Sequence, residues 1–167
     1  MRIYVPATVS VLEQLVADGQ FFPLSGTAFA VTPALREAYA EGDDDELSEI
    51  ALEEAARASL RLISGEHASG NPVVYRRAVV AADVPDAVLR PDLDDAVVRV
   101  SDPVRLDQVA SAHLDTAEAT EDVEAAVMAV DEADLGDPDA EFVVSTAADH
   151  ALAWYARQEL PFLLELM

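Results

Sequence analysis

Cysteine and lysine are both absent from the 167-residue chain, and each absence removes a block of chemistry. Without thiols there are no disulfides, no thiolate nucleophile, no zinc ribbon and no cysteine-held iron–sulfur cluster. Without lysine there is no Walker-type phosphate loop, no Schiff-base catalysis and no lysine-activated nucleophile. Basic charge is scarce altogether: 10 residues, all arginine, stand against 33 acidic ones, for a formal net charge of −23. That field repels nucleic acid and anionic membrane alike, so neither is an expected partner, whereas a basic protein surface is. Aromatic residues make up only 6% of the chain, and a core of alanine, valine and leucine is expected. Long apolar runs are missing too: no stretch approaches the roughly 18 residues of a membrane span, and the opening Met-Arg-Ile-Tyr-Val-Pro lacks a basic region followed by an apolar one. A cytoplasmic location is expected.

What is present is a soluble composition, 51% hydrophobic, in a chain long enough for one full core and short for two. The stretch Arg76–Val84 is β-branched, apolar on both faces and closed by Pro85, which marks it as a buried central strand. Before it, Arg2–Pro6 alternates as a strand. Ser10 and Glu13 form a capping-box pattern for a helix ending at Gly19. Thr27–Val31 is a second strand, and Thr32-Pro33 starts a short helix to Tyr39. Asp43 to Glu46 fill the first turn of the longest helix, in which Leu47, Ala51, Ala55, Ala58 and Leu62 share a face and Glu53 stands four residues before Arg57. Ser64–Pro72 has the composition of an exposed loop.

Beyond the central strand, Pro85–Asp95 reads as an acidic connection, Ala96–Val100 and Gln108–Asp115 as strands, and Glu118–Glu132 as a helix striped by Val123, Ala126, Val127 and Val130. Asp131–Glu141 reads as an acidic loop, Phe142–Val144 as a small edge strand, Leu152–Arg157 as a strand and Glu159–Leu166 as a closing helix. The order is β-α-β-α-α-β-β-β-α-β-α. It describes a single α+β domain over residues 1–167, a mixed β-sheet with helices mainly on one face. No Gly-x-Gly-x-x-Gly follows any strand, which weighs against a dinucleotide-binding fold.

The blocks Arg2-Ile3-Tyr4-Val5-Pro6-Ala7-Thr8, Thr27 to Glu37, Ala55 to Leu62 and Leu152 to Leu160 together resemble a family of uncharacterised actinobacterial proteins, over nearly the whole chain. The resemblance implies a GC-rich source, which accounts for the arginine-for-lysine bias. It implies no activity and carries no catalytic residues.

One constellation has metal-ligand chemistry: His113 and Asp115, two apart on a strand and so on one side of it, with His150 as the third member of a two-histidine, one-carboxylate set. The competing reading is a strand-end histidine bonded to a neighbouring carboxylate, and no metal or other cofactor is assigned. The acidic runs Asp92–Asp95 and Asp134–Asp139 lack calcium-loop spacing and read as solvated charge. His67 and Ser69 lie in a glycine-rich stretch without a nucleophile motif. Trp154 and Tyr155 face opposite sides of their strand, one ring for the core and the other for the surface. Arg2, Tyr4, Arg76 and Arg77 are candidates for a small basic island, against ion pairing with abundant carboxylates. With no complete catalytic set, the leading expectation is a non-catalytic interaction or regulatory module, including one whose acidic surface imitates nucleic acid. A small metal- or ligand-binding enzyme using His113, Asp115 and His150 is the alternative.

Overall fold

The computed structural model describes all residues from Met1 to Met167. Two strands carry the architecture, β1 (Arg2–Ala7) and β4 (Ala78–Asp83). They pair antiparallel along their whole length, from Arg2 opposite Asp83 to Ala7 opposite Ala78. Both are apolar on both faces because both faces are covered. Ile3, Val5, Ala78 and Val80 point to one layer, while Tyr4, Val79 and Ala81 point to the other. This is the reverse of the one-sided alternation of a half-solvated sheet.

Around that pair the sheet grows outward to seven strands, in the order β5-β6-β3-β1-β4-β8-β9. On the β1 side lie β3 (Thr27–Phe29), β6 (Val97–Arg99) and the two-residue β5 (Val88–Leu89). On the β4 side lie β8 (Val109–Leu114) and β9 (Ala153–Ala156). Every pairing is antiparallel, so the mixture expected of the sheet is realised in one sense only. A separate ribbon joins β2 (Gln20–Phe21) to β7 (Val104–Arg105). Strands from after β4 thus lie on both sides of the β1–β4 pair, β5 and β6 beyond β3 and β8 and β9 beside β4.

The helices are unequally shared between the faces, as the sequence suggests. On one face, α1 (Val9–Asp18) and the short α6 (Leu160–Glu165) bury Leu12, Leu15 and Leu160 against Ile3, Val5 and Leu114. The other face carries α2 (Pro33–Ala38) and the 25-residue α3 (Asp44–Ala68), whose Leu47, Ala51 and Ala55 lie on Tyr4, Phe29 and Val79. The remaining helices, α4 (Thr120–Asp134) and α5 (Pro138–Ala148), pack on each other and against Leu60 and Ile63 of α3. None of the helices is long and apolar enough to cross a membrane.

Local chemistry explains the boundaries, including those the sequence reading misplaces. α1 is capped by Thr8, whose hydroxyl accepts from the Val11 N–H, so Ser10 lies inside the helix and not at its cap. Thr32 and Asp43 cap α2 and α3 in the same way, accepting from Leu35 and Glu46. Thr32 also donates its hydroxyl to the Asp95 carbonyl, tying α2 to the connection before β6. α3 does not stop at Ser64. It runs to Ala68 and closes at the left-handed Gly70, with the Asn71 N–H bonded to the Glu66 carbonyl. Gly65 is tolerated mid-helix because it faces open space, at a cost of roughly 1 kcal/mol relative to alanine.

The buried stripe of α3 follows Leu47, Ala51, Ala55, Ser59 and Ile63, not Ala58 and Leu62, and widens through Ala56 and Leu60 where α4 and α5 cover a second side. Phe142–Val144 is not an edge strand. Asp137 caps α5 and Pro138 occupies its first turn, and Ala140, Val144 and Ala147 form the inward stripe at helical spacing.

Ser59 is the polar hinge pin of this packing. Fully buried, it donates its hydroxyl to the Ala7 carbonyl at 2.7 Å and accepts from the Ala78 N–H at 3.0 Å. It therefore joins α3 to the paired ends of β1 and β4. Ser59→Ala leaves both backbone groups unsatisfied, and a loss of about 1–3 kcal/mol is expected in denaturant unfolding with an unchanged m-value. A loss below about 0.5 kcal/mol would mean that water replaces the hydroxyl.

Candidate functional site

The residues singled out by the sequence gather at one corner of the sheet, but not as a joint ligand set. Asp115 follows the end of β8 and is completely buried. Its carboxylate accepts from the Arg77 backbone N–H at 2.7 Å and from that guanidinium at 2.9 Å (Nε) and 2.7 Å (Nη2). Arg77 Nη2 also donates to the His150 carbonyl at 2.8 Å. This buried fork clamps the start of β4, the end of β8 and the turn before β9 in one place. It leaves the Asp115 carboxylate turned toward a cation of its own.

His150 directs its Nε2 to Asp122 Oδ2 at 2.7 Å, joining the turn after α5 to the first turn of α4. His113 Nε2 lies 3.0 Å from Ser111 Oγ on the same strand. The three predicted ligands therefore have three different partners, and no group of three His, Asp or Glu side chains is arranged to hold a metal. Ser111 and His113 form a hydroxyl–imidazole pair, but Ser111 is buried and no carboxylate orients the ring, so the arrangement lacks the third member of a nucleophile–base relay.

The basic island does not form either. Arg2 forks onto Asp83 at 2.7 and 3.0 Å, Arg77 is turned inward, Tyr4 lies beneath α3, and Arg76 is left alone and half-exposed. The two aromatics of β9 do separate as expected: Tyr155 packs toward the α1 and α6 side, and Trp154 is 62% exposed on the other.

What the corner does contain is a cleft of about 740 Å³ between α3, α5 and the turn before β9. His113 and Arg77 lie at its sheet side, and Glu49, Glu53, Glu54 and Asp149 at its walls. Trp154 stands directly opposite His113 in the β8–β9 ladder. A larger cleft of about 950 Å³, between the start of α1 and the end of α3, is lined by Val9, Val11, Phe22, Leu24 and Val74 and has no comparable charge cluster.

Both arginines of the acidic cleft are already engaged. Arg57 does not pair with Glu53, as its spacing suggests, but forks onto Glu141 at 2.9 and 2.8 Å and reaches Asp134 at 3.1 Å. Burial, reinforced by Asp94 and Glu53, holds the Glu54 carboxyl above the ordinary carboxylate range despite nearby Arg61 and Arg57. Glu53 is raised as well, by burial and by Glu49. Burial lowers His113 below the ordinary histidine value, with Arg2 adding to the effect. The cleft thus holds carboxylates that form no ion pair, Glu49, Glu53, Glu54 and Asp149, beside an imidazole whose protonation burial disfavours.

An antiparallel sheet backed by helices, with an acidic cleft and an exposed tryptophan on its edge strand, defines a small α+β domain. The chain belongs to a family of unknown function, DUF6912, whose model matches residues 1–164. No curated protein and no solved structure matches it.

Two outcomes test the site's geometry. Asp115→Ala strands a buried guanidinium, and a loss of about 3–5 kcal/mol is expected, whereas Arg77→Met combined with Asp115→Leu costs much less because no charge is left alone; additive losses in the double-mutant cycle would deny the pairing. The lowered His113 value means that the unfolded chain binds its proton first on acidification. The stabilisation from keeping His113 neutral is fully present above about pH 6.5 and is lost as pH falls from there through the folded value. His113→Gln is expected to flatten the stability profile in that window; a wild-type slope retained by the variant would assign it to other groups.

Proposed function

We propose that this protein is a non-catalytic interaction module that binds a cationic protein segment at the corner formed by the acidic cleft and Trp154. The observation that carries the reading is the charge balance at the cleft. Glu49, Glu53, Glu54 and Asp149 border it, while Arg57 and Arg77 are spent on Asp134, Glu141 and Asp115. Across the molecule, seven of the ten arginines are held by carboxylates in the same way. The protein has few cations left with which to neutralise this surface.

A partner that supplies arginine or lysine gains from the field in two ways. Long-range attraction speeds encounter, and contact with the half-buried Glu54 in the recess is screened less by salt than contact with a solvated face. The exposed Trp154 ring adds a surface on which a guanidinium can stack. Regulation, and not chemistry, is the role such a site serves: it recognises and occupies a basic surface.

The test is binding of a synthetic arginine-rich peptide followed by calorimetry at low and high salt. Substituting Glu49→Gln, Glu53→Gln and Asp149→Asn together is expected to weaken binding about tenfold, roughly 1.4 kcal/mol. A control neutralising Glu13, Asp18 and Glu165, on the helices of the opposite face, removes the same charge and should change affinity little. Equal losses in the two variants would reduce the effect to net charge and remove the site.

A further inference from the structure

The β9 edge of the sheet has the features of a docking rail. β9 is last in the strand order and pairs only with β8. The Ala156 N–H is bonded to Glu159 Oε2 at 2.7 Å, so this amide points away from β8. Amides two apart on a strand point the same way, which places the Trp154 N–H and carbonyl on the open side. Glu159 closes the far end of the edge, and the end running from Leu152 to Trp154 stays open. At the other margin of the sheet β5 is only two residues long, too short to template a strand.

The occupant is indicated by charge and register together. A residue pairing with Trp154 from outside shares its face, the face on which His113 lines the acidic cleft. Its side chain therefore projects beside an exposed indole, on the face of the sheet that carries the recess bordered by unpaired carboxylates. A second copy of this chain would bring another −23 of charge to that edge, whereas an arginine or lysine is complementary to both ring and recess.

Resting on the cationic-partner reading above, we propose that β9 accepts an extended, basic segment of a partner protein as an added antiparallel or parallel strand, with an arginine or lysine opposite Trp154 directed toward Glu49, Glu53 and Asp149. Main-chain hydrogen bonds to Trp154 supply affinity, and the alternate side chains supply specificity. Glu159, by occupying the Ala156 amide, limits the rail to a short segment and protects the edge from open-ended pairing.

The experiment uses two labelled peptides of equal length and charge, one alternating arginine with threonine and one alternating arginine with proline, and reads anisotropy together with amide exchange. The alternating Arg/Thr peptide is expected to bind at least about tenfold more tightly and to slow exchange at the Trp154 amide. In Trp154→Pro, which removes an outward N–H that β8 does not use, that preference disappears; in Trp154→Ala, which keeps the N–H, binding weakens but the preference remains. Equal binding of the two peptides to the wild type would sink strand addition while leaving the cationic cleft intact. Binding of neither peptide at low salt would remove the cleft reading and the strand together. A concentration-dependent dimer with the Trp154 amide already protected would give the edge to a second copy instead.

Discussion

The buried fork between Arg77 and Asp115 is the constraint on which this corner of the molecule depends. It joins residues 38 apart in the chain and reaches on to the His150 carbonyl, 73 residues from Arg77. Two charges removed from water hold together only if each is fully satisfied, and here the carboxylate accepts three hydrogen bonds. Fixing the start of β4 against the end of β8 sets where β8 begins its pairing. Fixing the turn before β9 sets how β9 returns to β8. The cleft and the tryptophan edge are consequences of that geometry.

A second constraint is the small side chains of the inner layer. Ala7, Ala28, Ala78 and Ala82 on the sheet, and Ala51 and Ala55 on α3, are all inaccessible to solvent. Such residues contribute little apolar area each, but on the α3 side Ala51 and Ala55, packed with Ala81 of the sheet, allow close approach of helix and sheet, so that one hydroxyl, that of Ser59, reaches both β1 and β4. Dense packing of small residues also explains how a chain with 6% aromatic content fills three contiguous apolar clusters.

The acidic surface acquires meaning only when the arginines are placed. Scattered carboxylates on a helix are ordinary solvated charge. In the α3–α5 cleft Glu53 and Glu54 are partly withdrawn from water while the adjacent arginines serve α4 and α5, and the result is two carboxyl groups held above their ordinary range. An interaction surface of this kind is a property of who pairs with whom, and composition does not report it.

The order of the principal elements was legible in the sequence because each rests on local chemistry: alternating runs at β1 and β8, a continuous apolar run at β4, helical stripes at α3 and α4, and Thr32-Pro33 as a helix start. The family membership was legible in the blocks at both ends of the chain. α5 was legible as well, in Asp137-Pro138 followed by Ala140, Val144 and Ala147, but the acidic composition obscured it. His113, Asp115 and His150 lie near one corner of the sheet, yet their partners were decided by tertiary structure, because an ion pair or hydrogen bond depends on which group the fold brings within about 3 Å. The sequence placed Asp115 two residues from His113; the sheet register placed it against Arg77. It marked Trp154 and Tyr155 as facing opposite ways, and only the packing of α1 and α6 on the Tyr155 face determined that the tryptophan is the ring left in water.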